Sequence, residues 1–273
     1  MSRSVLVVQN AASDPVGRLG GWLRDAGLTL DVRDGAWLPE LNGYDGLVVL
    51  GGGMSATDDE RAPWLPSVRA LLAQALADET PTLAVCLGAQ LLAVALGGRV
   101  GRNPDGPEFG AQLVAKRANA ATDPLFRDLP ITPDVIQWHY DAVLDLPPSA
   151  VLLASSPVCE VQAFRAGRLA WGIQFHIETT PAVVRQWAAT DAAALAGYDV
   201  DLLLERSEAV HGDIAEVWQP FAATFARVVD NPASVPATRP LRIATAAPVT
   251  DPAAIRAALA AELHEARQPP SGQ

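Results

Sequence analysis

TLAVCLGAQLLAVALGG, residues 82–98, is the stretch that decides how this chain folds. Thr82 to Val85 is a short apolar run of strand character, while Leu87 to Leu96 suits a helix that Gly97-Gly98 closes. Cys86 stands between them at a sharp turn, its sulfur facing the helix N-terminus, a place that favours thiolate. The chain holds two cysteines in 273 residues, so no disulfide framework is available. Two readings of Cys86 remain, a buried structural thiol and a nucleophile.

The same alternation runs upstream. SVLVVQN (4–10) reads as a buried strand, 17–26 as an amphipathic helix, LTLDVRD (28–34) as a second strand and GLVVLGGG (46–53) as a third, ending in glycines; 66–77 then suits a helix. This order predicts an α/β fold: a doubly wound, flavodoxin-like, mostly parallel sheet with helices on both faces and ligands at the carboxyl ends of its strands. After Gly98 the runs shorten: RVGR (99–102), AQLVAK (111–116), VIQWH (135–139), VLLASS (151–156), VQAFR (161–165) and LAWGIQF (169–175). They predict an added antiparallel portion continuous with the first half. Residues 181–197 and 201–229 read as helices that finish the domain. From Asn231 the proline-rich NPASVPATRP reads as a linker, and Asp251-Pro252 opens an alanine-rich helix that Gln268-Pro269-Pro270 stops. The expected organisation is one domain over 1–230, then a linker and appended helix over 231–273.

Composition narrows the function. A net charge of −11, with Lys and Arg nowhere densely clustered, argues against nucleic acid and anionic membranes as partners. The apolar run after Met1 is too short for a secretory segment, and no stretch is long enough to span a bilayer. A cytoplasmic, reduced protein is the expectation. CxxC, HExxH and GxxxxGK[ST] are all missing from the sequence, so neither a metal nor a cofactor is expected.

A cysteine hydrolase needs a thiolate, a histidine that takes and returns a proton, a group that orients the histidine, and donors for an oxyanion. His176 ends the apolar run 169–175 and Glu178 follows two residues later. Residues two apart in extended chain share a side, so the carboxylate can hold one imidazole tautomer. Gly51 and Gly52 lie after the third strand, where glycines let backbone N–H groups approach a ligand closely, though a tight turn alone explains such a run equally well. The N–H of Leu87 offers a second donor. Cys159 falls in a turn and reads as inert, His211 and His264 as solvated helix residues, and Trp138 and Trp171 as core or pocket wall.

Taken together, AVCLGAQLLAVALGG (84–98), LVVLGGGMSATDDE (47–60) and WGIQFHIE (171–178) resemble the class I glutamine amidotransferases, whose domain carries a C-L-G-x-Q elbow and a distal F-H-x-E. The resemblance spans roughly residues 4–230. QWHYDAVLDLPPSAVLLASS (137–156) and VQAFR (161–165) make it most similar to free-standing, GMP-synthase-like glutaminase proteins. It implies Cys86 as nucleophile, His176 as acid and base, and Glu178 as its orienting partner. Gly52 and Leu87 would supply oxyanion donors, and Gly51, Gln90 and His139, Tyr140 and Asp141 would line the glutamine pocket. Ala84, Gly53 and Ile177 depart from the family pattern, where glycine, proline and proline are usual; none removes a reacting group.

The implied activity is hydrolysis of the glutamine side-chain amide through a γ-glutamyl thioester. Its ammonia would go to a separate synthetase, because no stretch resembles an SGGxDS loop. A hydrolase of γ-glutamyl amines or peptides would use the same three residues. A binding or regulatory protein that keeps the fold without turnover is the reading of another class, and the complete Cys86, His176 and Glu178 set argues against it.

Overall fold

The computed structural model describes residues 2–148 and 150–236. In chain order the first half runs β1 (Ser4–Gln9), α1 (Gly17–Asp25), β2 (Thr29–Asp34), β3 (Gly46–Val49), α2 (Leu65–Ala77), β4 (Thr82–Val85) and α3 (Leu87–Ala95). The second half runs β5 (Arg99–Arg102), β6 (Glu108–Leu113), β7 (Ala115–Lys116), β8 (Asp134–His139), β9 (Asp141–Asp145), β10 (Ala150–Ser155), β11 (Ala163–Ala166), β12 (Ala170–Ile173), α4 (Pro181–Thr190) and α5 (Val200–Asp230).

Eight strands form the main sheet in the order β2-β1-β3-β4-β12-β11-β10-β7. The first five are mutually parallel, and β11, β10 and β7 extend them antiparallel. The sheet has two apolar faces because successive residues in the middle of its inner strands, such as Val5 to Val8 of β1 and Leu47 to Val49 of β3, are apolar and buried. Val5 and Val7 of β1 pack on the side of α1 and α5, with Leu19, Leu23, Trp218, Phe221 and Phe225. Leu6 and Val8 pack on the side of α2 and α3, with Leu72, Leu91 and Leu92. This is the alternation that two helix-covered faces require. Each of these fully buried side chains contributes about 1.5–3 kcal/mol.

Three details differ from the sequence reading. The antiparallel portion is not all continuous with the sheet: β5 pairs with β9 and β6 with β8 as separate two-stranded ribbons. The strand expected over 111–116 is instead β6, starting at Glu108, and the short β7, because Leu113 is exposed and Val114 turns inward between them. The strand expected through Phe175 ends at Ile173, since the next N–H, that of Gln174, donates to Gln162 O at 2.8 Å outside the β4 and β11 ladders. Thr180 and Asp199 cap α4 and α5 by accepting from the N–H groups of Val183 and Leu202.

Residues 232–234 form a 3-10 turn after α5, and Val235 is buried. The Arg168 guanidinium donates to the carbonyls of Pro232 and Val235. The helix expected from Asp251 and His264 lie outside the described residues. Among the described residues no helix is long and apolar enough to cross a membrane.

Candidate active site

Four parallel strands deliver the site. The chain leaving β1, β3, β4 and β12 at one edge of the sheet supplies Asp14, Gly51 and Gly52, Cys86, and Gln174 to Glu178, in agreement with where ligands collect in such sheets. The turn between β4 and α3 is sharp because α3 starts directly against β3. A Cβ on Gly88 would stand 2.2 Å from Val49 O, so only glycine allows that approach. Cys86 absorbs the turn with φ 50° and ψ −111°, a strained conformation for an L-residue that costs about 1–3 kcal/mol. Its N–H donates to Ile173 O at 2.8 Å, and its carbonyl accepts from the Gln90 N–H at 3.0 Å.

His176 is held from outside the main sheet. Its N–H donates to Ile136 O at 2.8 Å and its carbonyl accepts from the Ile136 N–H at 3.2 Å, a single bridge to β8. In the ring, Nδ1 lies 2.6 Å from Glu178 Oε1, while Glu178 Oε2 accepts from the Ile177 N–H at 2.9 Å. Both side chains are buried, and the Trp187 ring packs 4.7 Å from the imidazole. Burial disfavours the imidazolium, but the Glu178 carboxylate and the Cys86 sulfur outweigh it and hold the His176 pKa well above its ordinary value. Nε2 makes no hydrogen bond to a nitrogen or oxygen among the described residues, which leaves it to the Cys86 sulfur, whose hydrogen bond is one of the causes of the raised pKa.

A cleft of about 730 Å³ opens above the thiol, and Cys86, Gly52, Gln90, His139, Tyr140 and Asp141 all line it. His176 and Glu178 are buried and form no part of its wall. Gly51 and Gly52 occupy tight space: a Cβ would meet Asp14 Oδ1 at 2.9 Å from the first and Met54 Sδ at 2.7 Å from the second. Among the described residues the N–H groups of Gly52 and Leu87 have no acceptor, the condition an oxyanion site requires.

Two residues that the sequence reading passed over belong to this arrangement. Gln174 donates from Nε2 to Cys86 Sγ at 3.6 Å and accepts from Gln90 Nε2 at 3.1 Å. A polar residue inside the apolar run 169–175 was its one signal. Asp14 lines the cleft; burial pushes its carboxyl above the usual carboxylate range, with Ser13 opposing. Its signal was position, just past the carboxyl end of β1. Trp138 is a cleft wall and Trp171 is core. His211, expected to be solvated, is buried, with Nδ1 at 2.5 Å from Ser207 O and Nε2 at 3.3 Å from Thr179 Oγ1. The apolar side of α5 carries it inward.

Glu108, His139 and Cys159 bring three ligand-type atoms within 4.8 Å of one another. Each already has a hydrogen-bond partner. Burial pushes the Cys159 thiol up to about 12, so it is a neutral thiol and a poor metal ligand.

The family model for class-I glutamine amidotransferases matches residues 24–187. Over 142 residues the chain is 33% identical to gamma-glutamyl peptidase 3 of Arabidopsis thaliana, covering 51% of this chain and 56% of that protein. Over 163 residues it is 34% identical to a subunit of the glutamine-hydrolysing GMP synthase of Haloarcula marismortui, covering 57% of this chain and 76% of that one. Among solved structures, a glutamine amidotransferase from Thermotoga maritima superposes with a TM-score of 0.74 at 30% identity, covering 84% of this chain and 99% of that one.

Proposed function

The chain belongs to the class-I glutamine amidotransferase family, and from that premise we propose that it hydrolyses a γ-glutamyl amide through Cys86, His176 and Glu178. Residues 1–230 are taken as the unit that does so. The observation that carries the reading is the 2.6 Å contact of His176 Nδ1 with Glu178 beside a strained cysteine whose sulfur helps to raise the imidazole pKa.

The Cys86 thiolate attacks the γ-carbonyl carbon, and the carbonyl electron pair moves onto oxygen. The N–H groups of Gly52 and Leu87 receive that oxyanion. On collapse, the imidazolium of His176 gives its Nε2 proton to the departing nitrogen and a γ-glutamyl thioester remains. His176, now neutral and kept in one tautomer by Glu178, takes a proton from water, whose oxygen attacks the thioester. Cys86 leaves as thiolate, and glutamate is released. Gln90 and the His139 to Asp141 segment hold the glutamyl portion. Ammonia released from glutamine passes to a separate synthetase, and the relatives named as single subunits of glutamine-hydrolysing GMP synthases support that reading.

A second reading, cleavage of γ-glutamyl amines or peptides, is favoured by the cleft. At about 730 Å³ it is in the range that takes drug-sized ligands rather than one amino acid. The relative named gamma-glutamyl peptidase 3 supports it as well. Ammonia release from glutamine, measured against amine release from a panel of γ-glutamyl amides, separates the two. No Cys86-dependent release from any of them defeats both.

A further inference from the structure

Glu108 is 1% exposed and contributes nothing to the cleft wall, yet its carboxylate is fully engaged. Oε2 lies 3.0 Å from His139 Nε2 and accepts from Gln162 Nε2 at 2.6 Å, while Oε1 accepts from Ser156 Oγ at 2.9 Å. Glu108 and His139 are direct partners in the β6–β8 register. Stability alone gives little reason to bury a carboxylate, because well-packed apolar residues serve a core at least as well.

Two arms run from it to one residue of the site. In the first, His139 Nδ1 lies 3.0 Å from Asp141 O, the same carbonyl that accepts from Gln90 Nε2 at 2.9 Å, and Gln90 in turn donates to Gln174. In the second, Gln162, whose side chain donates to Glu108, accepts the Gln174 N–H on its backbone carbonyl at 2.8 Å. Both arms close on Gln174, which donates to the Cys86 sulfur. His176 is fixed apart from these arms, by Glu178 and Ile136, and the Cys86 N–H by Ile173, so the arms reach the reacting groups only through the 3.6 Å contact of Gln174 with the Cys86 sulfur.

We infer that Glu108 is a positioning residue for substrate: through His139 and Gln162 it sets the wall formed by Asp141 and Gln90 against which the glutamyl group binds, without itself touching the reacting atoms. The inference rests on the γ-glutamyl reading of the site. The two ring nitrogens of His139 lie 3.0 Å from Asp141 O and 3.0 Å from Glu108 Oε2, so the ring itself links the buried carboxylate to the wall.

The test uses two electrophiles on the full chain: a glutamine-shaped diazoketone, which must bind before it alkylates Cys86, and iodoacetamide, which needs only the thiol. In Glu108→Gln, of the same shape but with an amide nitrogen facing donors, the diazoketone concentration for half-maximal rate rises by about tenfold, as loss of a charge-assisted hydrogen bond predicts. Its iodoacetamide rate stays within about twofold of the wild type. An unchanged half-maximal concentration, or an equal fall in both rates, overturns the inference. Should Glu108→Gln fail to fold, Ser156→Ala, which removes one donor, raises the same concentration by about threefold, and no rise overturns it. Wild-type protein that shows no saturable labelling by the diazoketone instead refutes the γ-glutamyl reading, and the inference falls with it.

Discussion

His176 Nδ1 lies 2.6 Å from Glu178 Oε1, with both side chains buried and the carboxylate's other oxygen accepting from the Ile177 N–H. The pair is rigid, so the imidazole has one orientation and one tautomer available when neutral. Glu178→Gln keeps the volume and removes the charge. The kcat of hydrolysis falls by roughly 10²–10⁴-fold while the melting curve stays cooperative. Steady-state kinetics of the purified variant check this, and a loss of less than threefold contradicts the role given to Glu178.

The raised pKa of His176 also makes stability depend on pH. A group whose folded pKa exceeds its unfolded value, about 6.5 for histidine, contributes stability that is fully present below that value and is lost as pH rises through the folded pKa. The stability difference between wild type and His176→Gln is therefore larger at about pH 6 than at about pH 9. Urea titrations at both values measure it; a difference that stays constant or grows with pH means that the ion pair does not stabilise the fold.

Gly88→Ala puts a methyl group 2.2 Å from Val49 O, and the backbone of β3 cannot yield as a flexible side chain does. The variant loses about 1–3 kcal/mol or more, and the shift of α3 carries Cys86 out of place, so activity falls with stability. Thermal melting and an activity assay on the same preparation test both.

Cys86 holds φ 50°, which glycine tolerates without strain. Cys86→Gly is accordingly more stable than Cys86→Ala by about 1 kcal/mol, after allowing for the greater freedom of glycine in the unfolded chain. Both variants are inactive, so the comparison isolates the backbone. Equal stability means that the turn stores no strain.

Much of this was legible beforehand because it is local. An apolar run, a cysteine, a glycine and a second apolar run define an elbow from sequence alone, and Glu178 reaches His176 because only one residue separates them. The long-range features were not legible. Gln174 joins the site through Gln90, which lies 84 residues away, and Asp14 arrives only because β1 lies beside β3 in the sheet. The expected continuity of the antiparallel part held for β11, β10 and β7 and failed for the rest for a similar reason: strand character in RVGR or VIQWH gives no partner, and those strands pair as ribbons with β9 and β6. His211 sits between Val210 and Gly212 in sequence, which say nothing about its side, and only the packing side of α5 turns it inward.

The chemistry proposed for Cys86 is covalent, so the bond itself can be weighed. Wild-type protein mixed with glutamine or a γ-glutamyl amide is quenched in acid and digested, and the peptide containing Cys86 is measured by mass spectrometry. The expected result is a γ-glutamyl adduct on Cys86 that forms with substrate, vanishes as substrate is exhausted, and is absent from Cys86→Ala, which hydrolyses nothing. Hydrolysis that persists in Cys86→Ala contradicts the assignment of Cys86 as nucleophile.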